Sequence, residues 1–204
     1  MPKIAVLVYG RLNKSAEHYE NIIETIGKEN QIDFFVSSDN SSQELLDDFK
    51  RLYNPVAYIN DPITYTCDFR SYPTWPEVNI DNMTRHFINK SRVFSLLEAS
   101  GLQYDIVLSL RVDLVFSSKF NFSSIEENTI YIPEGCDYYT NSINDRFAYG
   151  RFDVMKIYHS IYPNAIELLQ KGLCWAHPES LNYTNLTHNS VRIQRFTIQC
   201  DIKR

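Results

Sequence analysis

Residues 4–9 read IAVLVY, a continuous run of apolar and β-branched side chains. A run of this length and composition is typical of a strand that is buried on both faces, as in a parallel sheet. Residues 16–27 follow with apolar side chains at helical spacing, and Ser15 is the expected N-cap. The stretch therefore predicts the strand and helix that open an α/β fold.

The same unit recurs downstream. Residues 32–36 predict a second strand, residues 42–52 a second helix and residues 55–59 a third strand. Strands that alternate with helices in this way favour a mostly parallel, Rossmann-like sheet with helices on its flanks.

The second half of the chain continues this pattern less regularly. Residues 81–99 predict a helix that ends at Gly101, a residue suited to a C-cap. Residues 104–110 and 129–132 predict further strands, and residues 151–171 predict a helix with a break near Pro163.

Residues 191–198 alternate in polarity, like a late, half-exposed strand. We expect a single α/β domain over residues 1–204 with a small antiparallel C-terminal part. Within it, residues 1–110 would form a nucleotide-binding half and residues 111–204 an acceptor-side half.

Composition narrows the classes of function. The chain has 204 residues, of which 44% are hydrophobic, and a net charge of −5, so neither disorder nor a nucleic-acid partner is expected. No stretch is long and apolar enough to predict a membrane span, and we expect a cytoplasmic protein. Four scattered cysteines without a C-x-x-C pair predict reduced thiols; they are Cys67, Cys136, Cys174 and Cys200.

Asp113 is the most informative single position. It comes just after the predicted strand at 104–110, and ligands of open α/β sheets gather outside the carboxyl ends of the strands. A carboxylate there can hold a divalent cation that neutralises a diphosphate. The alternative is a local ion pair between Arg111 and Asp113.

A strand, an acidic box at residues 111–113, a short strand and the segment at residues 144–147 together resemble a GT-A glycosyltransferase. The chain is similar to the small glycosyltransferase domain of large algal (chlorella) viruses. This resemblance implies a UDP-sugar donor, a glycan or glycoprotein acceptor, and Mn²⁺ or Mg²⁺ as cofactor. Asp113 would be the metal ligand of the box, and a late histidine, His177, a second ligand.

The box departs from the family pattern because Arg111 stands where its first aspartate is expected. A guanidinium cannot coordinate a metal, but it can pair with a diphosphate. Arg111 is therefore expected to bind the diphosphate of the nucleotide and to stabilise the departing UDP.

The resemblance also implies contacts to the nucleotide. The turn formed by Tyr9, Gly10 and Arg11 would face the uracil, ribose and phosphate, although an ordinary strand-to-helix turn is equally consistent with these residues. Ser38 and Asp39 end the second strand, where a base or ribose contact is expected.

Arg85, Asn89 and Arg92 lie three to four residues apart and therefore share one face of the helix at 81–99. Asn89 and Arg92 are expected to reach the nucleotide, whereas Arg85 fits a solvated face better. Asp145 is the expected acceptor-side carboxylate, with an ion pair to Arg146 as the alternative.

Residues 61–80 are rich in proline and aromatic side chains, which is typical of a functional loop or lid. A glycosyltransferase that moves a hexose or deoxyhexose is the function predicted from these features together. The alternative is a non-catalytic nucleotide- or carbohydrate-binding module on the same scaffold, which the arginine in the box favours.

Overall fold

The computed structural model describes residues 1–39, 41–64, 69–122, 124–135, 137 and 140–203. Its strands are β1 (Lys3–Tyr9), β2 (Gln31–Ser37), β3 (Ala57–Ile59), β4 (Ile106–Leu110), β5 (Leu114–Phe116), β6 (Thr129–Pro133), β7 (Phe147–Gly150), β8 (Arg192–Phe196) and β9 (Cys200–Ile202). Its helices are α1 (Ser15–Ile26), α2 (Gln43–Tyr53), α3 (Ile80–Ser100), α4 (Phe152–His159), α5 (Ile161–Gln170) and α6 (Pro178–His188).

The central sheet has seven strands in the order β3-β2-β1-β4-β7-β6-β8. The pairs β1–β2, β1–β4, β2–β3 and β6–β8 are parallel, and β7 is antiparallel to both of its neighbours. Strands β5 and β9 form a small antiparallel sheet. The predicted mostly parallel α/β sheet with a small antiparallel part is therefore confirmed.

The apolar run in β1 is explained by burial on both faces of the sheet. Alternate side chains belong to two core clusters: Ile4, Val6 and Val8 pack with α1 and α2, and Ala5, Leu7 and Tyr9 pack with α3 and α4. Burying a Val, Leu or Ile side chain contributes about 1.5–3 kcal/mol, so this strand is a large contributor to the core.

One sequence prediction of a helix boundary was wrong. Ser15 is the buried first residue of α1 and not its cap; Lys14 precedes it in the left-handed conformation, with φ of 68°. The helical stretch after residue 151 breaks at Ser160, near Pro163 as predicted. Pro163 lies in the first turn of α5, where the N–H that proline lacks has no helical acceptor.

Helix α3 is the longest of the described helices. Asn79 caps its start by accepting a hydrogen bond from the Asn82 backbone N–H at 2.9 Å, and Gly101, with φ of 64°, ends it as predicted. One face of α3 packs with α5 and the buried Phe69 in a third apolar cluster. None of the helices in the described parts of the chain is long and apolar enough to cross a membrane.

Strand β7 was not foreseen in the sequence. It runs against β4 with Leu110 opposite Phe147, so the chain just after β4 and the chain just before β7 meet at the same edge of the sheet. This pairing joins a strand of the predicted first half of the chain to one of the second half. It also determines which polar residues face one another at that edge.

Candidate functional site

The candidate site lies where β1, β2 and β4 end and β7 begins. Because β1, β2 and β4 are parallel, their carboxyl ends share one edge of the sheet, and the antiparallel β7 starts there. Crevices at this edge are where open α/β sheets bind ligands. The segments after β1, β2 and β4 and before β7 supply most of the residues predicted from sequence.

Asp39, just after β2, is held by two side chains of α3. Its carboxylate accepts hydrogen bonds from Arg85 Nη1 at 2.5 Å and Asn89 Nδ2 at 3.0 Å, and its side chain is 10% exposed. Asn89 Oδ1 in turn accepts a hydrogen bond from the Ser37 hydroxyl at 2.8 Å. Arg85 therefore orients the carboxylate, while its own side chain is 43% exposed, as expected for a solvated face.

Ser38 and Arg92 brace the neighbouring loops. The Ser38 hydroxyl lies 2.5 Å from the Ser41 hydroxyl, and Arg92 Nη1 donates to the Asp61 carbonyl at 3.0 Å. Both side chains thus stabilise the chain that follows β2 and β3. A direct contact of either with a nucleotide stays a prediction.

Arg111 and Asp113 form the local ion pair that was the alternative to a metal-binding role for Asp113. Arg111 Nε and Nη2 donate to the two carboxylate oxygens at 3.0 and 2.7 Å, and the side chains are 28% and 17% exposed. Burial lowers the pKa of Arg111, but the hydrogen bonds and charges of Asp113 and Asp145 outweigh it and raise the pKa overall. His18 of α1 holds the segment in place through a 2.9 Å contact with the Val112 carbonyl.

The site in this arrangement does not fit a resident divalent cation. Both oxygens of Asp113 are occupied by Arg111, whose charge opposes a metal at the same carboxylate. Within the described ranges, no three His, Cys, Asp or Glu side chains are grouped to hold a metal ion. The predicted metal roles of Asp113 and His177 are not supported by the positions of these residues.

Asp145 precedes β7 and is only partly exposed, at 18%. Its Oδ2 lies 3.6 Å from Nε2 of His86, slightly beyond hydrogen-bond distance. The alternative pairing with Arg146 does not form; the Arg146 backbone N–H instead donates to Asn144 Oδ1 at 2.9 Å. Asp145 therefore faces α3 across the site.

His86 is neutral near pH 7. Burial lowers its pKa to about 4, with Asp145 acting in the opposite direction and the charges of Lys90 and Arg111 adding to the decrease. A neutral imidazole protonated at Nε2 can donate a hydrogen bond to Asp145. His86 thus lies beside that carboxylate without neutralising it, and its Nε2 makes no hydrogen bond to the described residues.

Lys90 is fully buried beneath the site. Its Nζ donates to Asn182 Oδ1 at 2.7 Å and lies 3.3 Å from the centre of the Tyr158 ring. Burial lowers the pKa of Lys90 to about 7, and the charge of Asp145 acts in the opposite direction. His159 Nδ1 contacts the Lys90 carbonyl at 2.8 Å, which fixes this turn of α3.

Tyr9 points into the interior. Its hydroxyl lies near those of Ser109 and Tyr158, but none of the three makes a well-formed hydrogen bond. Burial is the main reason that the pKa of Tyr9 is raised far above its ordinary value. The Tyr9 ring packs edge-on against His86, with ring centres 5.1 Å apart. Tyr9 therefore holds the His86 ring in place from the interior side.

The space beside Gly10 and Arg11, at the end of β1, is open. Gly10 has φ of 96°, and no heavy atom lies within 4 Å of where a Cβ would stand. Arg11 is exposed. Among the described residues, the side chains of Arg11 and Arg146 make no ion pair, so two arginines flank the site with their charges unpaired.

His177 precedes α6 and is 6% exposed. Burial lowers its pKa, while the charges of Asp145 and Glu77 raise it. The Glu179 carbonyl, two residues further on, accepts a hydrogen bond from the Ile143 N–H at 3.4 Å, so His177 precedes a segment that is bonded to the chain carrying Asp145.

Sequence reasoning missed the polar residues that surround Asp145, chiefly His86, Lys90 and Tyr158. One signal was available. Lys90 occupies an apolar-face position of α3, in line with Phe87 and Phe94, and a lysine at such a position has to be buried with a partner.

Comparison with known proteins gives a fold and no family. No family model matches the chain, and no curated protein matches it either. The structure is similar to the apo form of the glycosyltransferase GlyE of Streptococcus pneumoniae TIGR4, with a TM-score of 0.56 and 13% identity. The match covers 95% of this chain and 45% of GlyE, so the chain spans less than half of that protein. The two proteins share an α/β fold.

The buried neutral histidines predict a loss of stability in mild acid. The pKa of His86 is about 4 in the folded chain and about 6.5 when unfolded, so between these values the unfolded chain binds more protons. The free energy of unfolding should therefore fall as the pH decreases from about 7 towards 4. His159 and His177, whose pKa values are also lowered by burial, act in the same direction.

Urea unfolding at pH 7, 6 and 5 measures this slope. His86→Gln should reduce the proton uptake on unfolding near pH 5 by up to about one proton. His188→Gln, at an exposed position at the end of α6, is the matched control and should retain the wild-type slope. A wild-type slope in His86→Gln would show that His86 is not buried in its neutral form.

Proposed function

We propose that the chain is a glycosyltransferase that moves a hexose or deoxyhexose from a UDP-sugar to a sugar hydroxyl of a glycan or glycoprotein. The observation that carries this proposal is the position of Asp145, a partly exposed carboxylate without an arginine partner, across the sheet edge from Arg111. The fold shared with GlyE supports the same class of reaction. A GT-A type similar to the enzymes of algal viruses is part of this proposal.

The nucleoside would lie at the end of β2. The Asp39 carboxylate, oriented by Arg85 and Asn89, can accept hydrogen bonds from ribose hydroxyls or from the uracil N–H. Gly10 at the end of β1 would allow the ligand to approach the backbone closely.

The diphosphate would lie between β1 and β4, where arginines supply the positive charge. Arg111 uses Nε and Nη2 for Asp113, which leaves the N–H groups of Nη1 free for a phosphate oxygen. Arg11 and Arg146, which flank this position, would complete the neutralisation of the leaving UDP. These three arginines therefore take the charge-neutralising role for which a metal ion was expected.

Asp145 would serve the acceptor. In an inverting reaction it takes the proton of the attacking hydroxyl as the new glycosidic bond forms and the bond to the UDP oxygen breaks. In a retaining reaction the same carboxylate would stabilise the positively charged sugar centre. His86 would position Asp145 in either case, because its Nε2 faces Oδ2.

A non-catalytic nucleotide- or carbohydrate-binding module is the second candidate. The bidentate pair of Arg111 and Asp113 favours it, because this pair occupies the carboxylate that would otherwise bind a metal. Release of UDP from UDP-sugars separates the two candidates, since a module would bind UDP without turnover.

Asp145→Asn is the most informative substitution for catalysis. It preserves the shape of the side chain but removes its charge and basicity, so we expect UDP release in the presence of acceptor to fall by about 100-fold or more. UDP should still raise the melting temperature of the variant, because the nucleotide lies at β2.

Asp153→Asn, on the exposed surface of α4, is the control and should retain wild-type turnover. Turnover by Asp145→Asn above half of the wild-type rate would contradict the assignment. Tight UDP binding without turnover by the wild type on a broad set of acceptors would favour the binding module.

The arginine-based neutralisation predicts activity without added metal. UDP release by the wild type should persist within about threefold in EDTA, whereas Arg111→Ala should lose about tenfold or more because a charge-assisted contact contributes about 1.5–3 kcal/mol. Parallel assays with EDTA and with Mn²⁺ test this. A wild-type enzyme that is inactive in EDTA and is restored by Mn²⁺ would show that a metal displaces Arg111 from Asp113.

A further inference from the structure

Two tryptophans form an exposed stack beside the site. The rings of Trp75 and Trp175 are nearly parallel, with an interplanar angle of 27° and centres 5.2 Å apart. Trp175 is 50% exposed, the largest exposed fraction among the large hydrophobic side chains of the described residues apart from Met1. A ring of this size is costly to leave in water, so its exposure calls for an explanation.

The stack is held in place by the backbone. The Ala176 N–H donates to the Pro73 carbonyl at 2.8 Å, and the Thr74 hydroxyl donates to the Ala176 carbonyl at 2.7 Å. These bonds join the loop at residues 72–79 to the segment before α6. The two rings are therefore held in place by these hydrogen bonds between neighbouring residues as well as by their contact with each other.

The same segment approaches the chain that carries Asp145. The His177 N–H donates to the Trp175 carbonyl at 2.8 Å in a tight turn, and two residues of chain span at most about 7 Å. Two residues further on, the Glu179 carbonyl accepts a hydrogen bond from the Ile143 N–H at 3.4 Å, and Ile143 is two residues before Asp145. The tryptophan stack and the proposed catalytic carboxylate therefore belong to two segments that are hydrogen-bonded to each other.

We infer that the Trp75–Trp175 stack is the platform on which the acceptor glycan binds, and this inference rests on the proposed function. The apolar C–H face of a pyranose packs on an aromatic ring, while its hydroxyls at the edge need polar partners. Glu77, two residues after Trp75, is exposed and can supply such a partner. A sugar stacked on Trp175 would extend its neighbouring residue towards Asp145, where the attacking hydroxyl is needed.

The chain itself provides a specific probe of this platform. Trp75 and Trp175 are its only tryptophans, so tryptophan fluorescence arises from this stack alone. Titration of the wild type with cellotetraose, maltotetraose, chitotetraose and mannotetraose should give a saturable change in emission with at least one of them. This measurement needs no catalytic turnover.

Steady-state kinetics with an active acceptor provides the second test. Trp175→Ala should raise the KM for acceptor by about tenfold or more, with a much smaller change in the KM for UDP-sugar, whereas Trp175→Phe should stay within about threefold of wild type. Leu102→Ala removes an exposed apolar side chain just beyond the C-terminal end of α3 and is the matched control, with kinetics like wild type.

The two tests separate the platform from the proposed reaction. If transfer occurs and Trp175→Ala has a wild-type KM for acceptor, the platform is wrong and the glycosyltransferase assignment stands. If no transfer occurs, a saturable fluorescence change that is lost in Trp175→Ala supports a carbohydrate platform without catalysis. If no transfer occurs and none of the four sugars changes the emission, the platform is overturned.

Discussion

The site depends on the antiparallel pairing of β4 with β7, in which Leu110 lies opposite Phe147. In a wholly parallel sheet, the chain leading into a strand lies at the opposite edge from the chain leaving its neighbour. The reversal of β7 instead brings Asp145 to the edge where Arg111 leaves β4. Hydrogen bonds between two buried strands fix this arrangement, so the proposed acceptor and leaving-group chemistry would meet on a rigid support.

Charge is arranged around this edge in a consistent way. The carboxylate of Asp39 is held by Arg85 and Asn89 from α3, whereas Asp145 lies beside the neutral His86 and, within the described residues, forms no ion pair with an arginine or a lysine. In the proposed reaction, the first arrangement would orient a carboxylate for recognition, and the second would leave a carboxylate able to accept a proton. Helix α3 therefore supplies polar side chains to both parts of the candidate site.

The sequence predicts those parts of the fold that depend on local patterns. The buried strand β1 and the end of α3 at Gly101 follow from apolar runs and from glycine at a left-handed position. The sequence also singles out Asp145 through its segment, but it does not predict the position of Asp145 beside His86, which depends on the reversal of β7. The Trp175 stack escaped prediction because its partner is 100 residues away in the sequence.

We propose that this edge of the sheet binds a nucleoside diphosphate, and calorimetric titration with UDP measures this binding without any need for turnover. We expect one UDP site in the wild type and binding at least about tenfold weaker in Asp39→Asn, because a charged hydrogen-bond acceptor is lost. GDP and dTDP should bind more weakly than UDP. If none of the three nucleotides binds, or if UDP binds the wild type and the variant equally well, this edge is not the nucleotide site.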